Sequence, residues 1–376
     1  MERKTNRIGA GEIAFLFAAL AIPIALAELG ARVWVVWKWP AEKVHQLTHT
    51  TPTRGRFTGH PQLPYALTPG YTSPRRSHNG HGFRGPELGE SPPSGAIRIA
   101  LLGASTVYGA RVDDENTSAR NLERTLAPRL APHTLEVVNA GVPGWTTAET
   151  VLNLEARVLP LSPDAVVILD GRNEVFPQVF RGYRDDYRHF RDPGFDFSGS
   201  HAGHKRVFRL SHLALLLATA GEGRFGFRME HENPIYATIR WKNQPRPAEA
   251  VENSTLPGRT GGLRRNLERI VEIAHSRDVL VALATMPFRA EAFASGVLPR
   301  DPDLLPALDA LVARNNAVVR EVAAQRGALL VDAAPELSTP ALLADDCHFN
   351  DEGERAFAAL VAAALEAPLR AREQAR

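Results

Sequence analysis

Apolar residues fall into two kinds of run along this chain. The first is long and N-terminal. Ile13 to Ala27 contains no charged residue, and the run continues through Leu29 and resumes from Val33 to Trp37. Glu28 and Arg32 alone interrupt it; they sit four apart, on one helix face, where they can pair. As one helix, residues 13–37 extend about 37 Å, enough for a hydrocarbon core of about 30 Å. Trp34, Trp37 and Trp39 cluster where an interfacial aromatic belt falls. Runs of the second kind are short: Ile97–Leu102, Leu135–Asn139, Ala165–Leu169, Val279–Ala284 and Ala328–Val331. Continuous apolar stretches of this length predict strands buried on both faces.

Helical patterns separate the short runs, at about 117–127, 146–158, 261–277, 305–326 and 351–366. Such alternation implies right-handed crossovers. The predicted fold is an α/β/α three-layer sandwich around a five-stranded parallel, flavodoxin-like sheet, preceded by a transmembrane helix. The expected organisation is a cytoplasmic segment 1–12, a signal anchor 13–37, a stalk and irregular entry segment 38–95, and a catalytic domain 96–370. An insertion at about 180–258 breaks the alternation and is too long for a simple connection. It holds one apolar run, Leu213–Ala218, in a patch predicted helical at about 207–219, read as a satellite helix on the core with a lid or membrane-facing element as the alternative. Within the entry segment, Pro69-Gly70-Tyr71 and Asn79–Gly85 read as tight turns of a loop wrapping the domain rather than as a wall of the substrate cleft.

Ala25-Leu26-Ala27 resembles a signal-peptidase site behind the basic start Arg3, Lys4, Arg7. The continuation of the apolar pattern past that site favours an uncleaved anchor. Either way the domain lies outside the cytoplasm, although Lys38 and Lys43 weaken the charge asymmetry.

Composition narrows the function. Lys and Arg number 44 against 42 Asp and Glu, a formal net charge of +2, and no basic stripe interleaves with aromatics, which argues against nucleic-acid binding. The single cysteine, Cys347, excludes an intramolecular disulfide and a Cys-based metal site. The pairs His78/His81 and His201/His204 lie in Gly- and Ser-rich loops and read as surface residues, a metal site being the less favoured reading. No cofactor motif follows the first strand: there is neither a Gly-x-Gly-x-x-Gly nor a phosphate loop.

Candidate chemistry sits just after the strands. Gly103-Ala104-Ser105 through Gly109 offers a serine nucleophile at the carboxyl end of the first, where open α/β sheets bind ligands. Asn139-Ala140-Gly141 offers a backbone N–H, and Gly171-Arg172-Asn173-Glu174 a side-chain amide, for a developing oxyanion. Asp345-Asp346-Cys347-His348 offers a base, His348, with Asp345 three residues before it to fix its tautomer. Asp346 competes for that role, and Cys347 reads as a small packing residue.

These segments resemble the SGNH hydrolases, also called the GDSL esterase/lipase superfamily, over about 97–366, with 180–258 unmatched. The resemblance implies Ser105 as nucleophile and oxyanion donor, Gly141 and Asn173 as the other donors, and Asp345 and His348 as acid and base. Ala104 stands where the family has Asp, and Glu174 where Asp is common. The anchor and the Asn79–Gly85 segment look like membrane-attached bacterial members, which implies a single-pass inner-membrane protein with a periplasmic domain. The expected activity is serine ester hydrolysis of an O-acyl ester of carbohydrate or lipid. An O-acyltransferase on a cell-envelope or exported glycan uses the same triad. A catalytically silent membrane-tethered binding protein is the alternative of another class.

Overall fold

The computed structural model describes residues 9–39, 44, 47–48, 55–192, 202–221, 234–293, 297–298 and 301–375. Residues 1–8 of the expected cytoplasmic start, most of 40–54, His201 and parts of the insertion lie outside the described residues; the first helix begins at Ala10, inside the expected cytoplasmic segment. The chain divides into two compact units: Met1–Gly55 with Asp196–Asn233, and Arg56–Phe195 with Pro234–Arg376.

The larger unit is built on a five-stranded parallel sheet. After a two-stranded antiparallel ribbon of β1 (Phe57–Thr58) and β2 (Ala66–Leu67), its strands are β3 (Ala96–Gly103), β4 (Thr134–Gly141), β5 (Ala165–Leu169), β6 (Leu280–Ala284) and β7 (Leu329–Val331). They lie in the order β4-β3-β5-β6-β7, the topology the apolar runs predict. Alternation within β3 explains the layers. Ile97, Ile99 and Leu101 join a cluster with Leu122, Leu308 and Phe357. Ala100 and Leu102 join another with Leu154, Leu267 and Val322. Both faces are therefore covered by helices, as a parallel sheet requires. Those helices include α3 (Ser118–Leu126) and α11 (Asp351–Ala375) for the first cluster, and α9 (Gly261–His275) for the second; α10 (Leu304–Arg326) supplies residues to both. The last helix runs past the predicted end at 366, through Pro368, to Ala375.

Register sets the site. Gly103 pairs with Gly141 on one side and with Leu169 on the other, so β3, β4 and β5 end level. Three segments therefore emerge at one edge of the sheet: the one-turn helix α2 (Ser105–Tyr108), the turn leading to α4 (Thr147–Asn153), and the stretch leading to α5 (Val175–Val179). The insertion is not one element. Phe180, Tyr187 and Phe190 are buried in the larger unit, and α8 (Pro247–Thr255) packs on α10 there.

The smaller unit holds α1 (Ala10–Lys38), α6 (Ala202–Leu210) and α7 (His212–Ala220). The expected single helix at 207–219 is two. Ser211 takes an extended backbone, and its Oγ accepts from Ala214 N at 3.0 Å, capping α7. Residues Ala18–Lys38 of α1 are long and apolar enough to cross a membrane. The expected Glu28–Arg32 pair forms: Arg32 Nε donates to Glu28 Oε1 at 2.8 Å.

Candidate active site

A sharp change of direction puts Ser105 beyond β3. Gly103 has φ +152°, and a Cβ there would overlap Leu169 O on the neighbouring strand. Only glycine ends β3 this way. The turn closes at Gly109, φ +77°. Its outer side is held by Arg84, a buried guanidinium from the entry segment. That group donates to Tyr108 O at 2.7 Å, Gly109 O at 2.6 Å, Val112 O at 2.9 Å and Asp114 Oδ1 at 2.7 Å. Asn79–Gly85 is therefore a brace that fixes the nucleophile turn from outside, more than a cover. His78, expected at the surface, is buried at 3% exposure. Its Nδ1–H donates to Thr68 O at 3.0 Å, and its Nε2 accepts from Tyr108 Oη at 3.0 Å. Burial pulls its pKa down to about 4, so it stays neutral. His81 is half-buried, its Nε2 3.1 Å from Leu88 O.

Ser105 Oγ donates to His348 Nε2 at 2.7 Å. His348 Nδ1 lies 2.9 Å from Asp345 Oδ1 and 2.8 Å from Oδ2, so Nδ1–H points at the carboxylate and Nε2 is left to accept. Asp345 Oδ1 also accepts from the backbone N–H of His348 at 2.9 Å and of Cys347 at 3.2 Å. Asp346 turns away: its Oδ2 accepts from Arg172 Nε at 2.8 Å. The geometry thus gives the imidazole to Asp345. Thr106 Oγ1 donates to Cys347 O at 3.2 Å and ties the nucleophile turn to the base loop. Cys347 is buried within the core cluster, as a packing residue.

Both members of the Asp345–His348 pair are shifted. Burial raises Asp345's pKa, but the bonds from His348 and Arg111 outweigh it and hold the carboxyl well below its usual range. For His348, burial opposes the charged form, while the Cys347 sulfur and the Asp345 carboxylate favour it; the pKa is raised. Arg111, which no motif singles out, donates to Asp345 Oδ2 from Nε at 2.8 Å and from a terminal nitrogen at 2.6 Å. Removing that cation leaves more negative charge beside the imidazole. Arg111→Gln is therefore expected to move the acid limb of kcat/KM to higher pH with a rate loss of no more than about tenfold, because the pair is half in solvent. A pH–rate profile that is unchanged or shifted down contradicts this.

The cleft at Ser105 is small and is lined by Ala104, Thr106, Asp170, Gly171, Arg172, Asn173, Met286 and Cys347. Asn173 reaches it from the segment after β5. One amide hydrogen of Asn173 is engaged, donating to Trp145 O at 2.8 Å, and Gly171 before it is fixed by Asn315 Nδ2 on its carbonyl at 3.1 Å. Glu174 faces away from the cleft, accepting from Thr147 N at 2.6 Å and from the Tyr187 hydroxyl. Burial pushes its pKa up to about 7 against those bonds. Burial likewise raises Asp170, whose only hydrogen-bond partner among the described residues is Thr150 Oγ1 at 2.7 Å.

Gly141 departs from expectation. Its N–H donates to Asn139 Oδ1 at 3.2 Å rather than pointing into the cleft. Its missing side chain serves packing, since a Cβ would overlap the backbone at Tyr108 N and Val107 C. Gly144, three residues on, has φ +82° and an N–H with no acceptor among the described residues. Its turn is pinned by Tyr65 Oη on Pro143 O at 2.8 Å and Arg191 on Gly144 O at 2.6 Å. It adjoins Trp145, the residue that Asn173 contacts. Sequence offered one signal for it, a second glycine before the helix-capping Thr146.

Comparison with known proteins places the chain. Residues 101–356 match the model of the GDSL-like lipase/acylhydrolase family. Similar solved structures include an α/β hydrolase from the metagenome of Lake Arreo (18% identity over 72% of this chain and 95% of that one, TM-score 0.41). A lipase/acylhydrolase from Enterococcus faecalis shows 18% identity over 72% and 96%, TM-score 0.41. A variant of an acetyl xylan esterase from Geobacillus stearothermophilus shows 17% over 72% and 94%, TM-score 0.38. No curated protein sequence gives a significant match.

Proposed function

As the chain belongs to the GDSL-like lipase/acylhydrolase family, and is a serine ester hydrolase, we propose that it works through an acyl-enzyme on Ser105 with His348 as base and Asp345 as its orienting acid. The unbroken chain Ser105 Oγ–His348–Asp345, at 2.7 Å and 2.8 Å, carries this reading. His348 Nε2 takes the hydroxyl proton as Oγ attacks the ester carbonyl. The oxyanion is met by Ser105 N–H and the free amide hydrogen of Asn173, with Gly144 N–H rather than Gly141 N–H as the further backbone donor. His348 then protonates the leaving alkoxide. Water, deprotonated by the same nitrogen, attacks the acyl-enzyme and releases the acid and Ser105.

Asn173→Ala is expected to lower kcat by about 10²–10³ with little change in KM, since the missing donor acts mainly in the transition state. A variant with wild-type kcat would remove Asn173 from the oxyanion site. The cleft at Ser105 has room for little more than a water-sized group, which supports a short acyl group. The apolar length of α1 and the basic residues before it support a single-pass anchor with the catalytic domain outside the cytoplasm.

The deciding experiment is fluorophosphonate labelling of the full chain in detergent, with hydrolysis of aryl acetate and aryl octanoate measured alongside. Labelling at Ser105 with acetate preferred is the expected result. Labelling without hydrolysis, restored by a sugar acceptor, would make the protein an acyltransferase. No labelling of folded protein would leave a silent site.

A further inference from the structure

The smaller unit contains polar groups arranged for a place without water. Glu28 lies within the apolar stretch of α1, yet its carboxylate is fully used. It accepts from Arg32 Nε at 2.8 Å, Ser211 Oγ at 2.7 Å, His212 N at 2.9 Å and Leu213 N at 3.0 Å. Arg32 in turn donates to Leu210 O at 2.7 Å. Apart from the Ser211 hydroxyl, the groups the pair meets are backbone ends left where α6 stops and α7 begins. Unpaired N–H and C=O groups are the principal cost of breaking a helix in hydrocarbon. Here the ion pair on α1 satisfies three of them, the Leu210 carbonyl and the N–H groups of His212 and Leu213.

The apolar surface around this junction is large. α7, His212-Leu-Ala-Leu-Leu-Leu-Ala-Thr-Ala220, has no acidic, lysine or arginine side chain, and only Leu215 is fully buried. Phe208 and Leu215 pack with Val35 in a small cluster. Leu210 remains 72% exposed and Leu217 61%, as exposed as Ile22 and Ile24 in the first half of α1 at 59% and 60%. A helix apolar all round is covered by protein or by lipid.

Lengths agree. Glu28 precedes Trp37 by nine residues, and α6 and α7 have nine each, so all three cover about 14 Å at 1.5 Å per residue. If the tryptophans mark the interface, two arms of that length descend from it and turn at Glu28.

We propose that α6 and α7 form a re-entrant hairpin that dips beside α1 into the acyl chains of the outer leaflet, its turn locked by Glu28 and Arg32. The proposal rests on reading α1 as a membrane anchor. Leu210 and Leu217 then face lipid, and the exposed Arg206, a helical turn above the tip, extends toward the phosphate headgroups, while Arg209 adjoins the turn.

The test uses the full chain in phospholipid nanodiscs with a nitroxide at one cysteine each: Ile22→Cys, Leu210→Cys, Leu217→Cys, or Leu330→Cys on the larger unit. Wild type, whose Cys347 is buried, is the blank. Collisions with oxygen relative to a water-soluble nickel chelate report depth. Labels at 210 and 217 are expected to match 22, with ratios several-fold above 330. Adding Glu28→Ala should lower the ratio at 217 toward that of 330 while leaving 22 unchanged. Labels at 210 and 217 that behave like 330 while 22 is lipid-exposed would overturn the hairpin and leave the anchor standing. An aqueous label at 22 would overturn both. An unchanged ratio at 217 in Glu28→Ala would overturn the lock.

Discussion

Replacing Ser105 by alanine is expected to reduce kcat by about 10⁴–10⁶-fold while the fold stays intact. Loss of the nucleophile removes the covalent path, and the remaining oxyanion donors supply only residual catalysis. The structural cost is small. Ser105 Oγ is bonded among the described residues only to His348 Nε2, and one such bond contributes about 1 kcal/mol. Gly103, Gly109 and Arg84 shape the turn without the hydroxyl. A melting temperature near wild type with abolished labelling and turnover is the predicted pair of results. Substantial turnover in the variant would mean that another group attacks the ester. Among the described residues, Cys347 and Thr106 carry the other thiol and hydroxyl lining the cleft, and Ser105→Ala with Cys347→Ala separates them.

The contrast between what sequence showed and what it hid follows the range of the forces involved. Strands such as Ala165–Leu169 were legible to the residue, because burial on both faces demands an unbroken apolar run whatever the neighbours are. The level strand ends and the order β4-β3-β5-β6-β7 agree with alternation and handedness. Contacts set by single polar atoms were not legible. The spacing to His348 favours Asp345 over Asp346, but nothing in the sequence shows where Asp346 goes, and it is the turn that gives it to Arg172. Arg84 and Arg111 act from segments without periodic pattern, through carbonyls and a carboxylate that no spacing rule connects to them. Gly141 read as an oxyanion donor because it comes at the end of a strand, whereas its N–H is taken by a side chain two residues back. The apolar 207–219 patch read as one helix because Ser211 is tolerated inside helices; it breaks there because Glu28, distant in sequence, receives the new helix end.

Asp345→Asn is expected to cost about 10⁴ in kcat, by analogy with loss of the triad acid in serine hydrolases generally, and to move the acid limb of the pH profile down. The two effects have separate origins. An asparagine amide facing His348 would donate to Nδ1, so the ring would carry its proton on Nε2 and could no longer accept from Ser105 Oγ. That lowers the rate at every pH. The Cys347 sulfur and the Asp345 carboxylate together raise the imidazole's pKa, and removal of the carboxylate charge takes away the second contribution. Activity requires the neutral ring, so wild type loses activity as pH falls through a pKa above the ordinary value of about 6.5. The variant should lose its small remaining activity at a lower pH. The loop itself should persist. An asparagine retains an oxygen for the backbone N–H of Cys347 and His348, and Arg111, more than half exposed, returns to water. Asp346→Asn gives the opposing control. It weakens a buried pair with Arg172, whose guanidinium also lies 4.9 Å from the ring centroids of Phe176 and Phe293. That change should show mainly as lost thermal stability, with the acid limb where wild type has it. If Asp346→Asn moved the limb and Asp345→Asn did not, the orienting acid would be the other carboxylate, and the turn at 344–348 would have a different shape during catalysis.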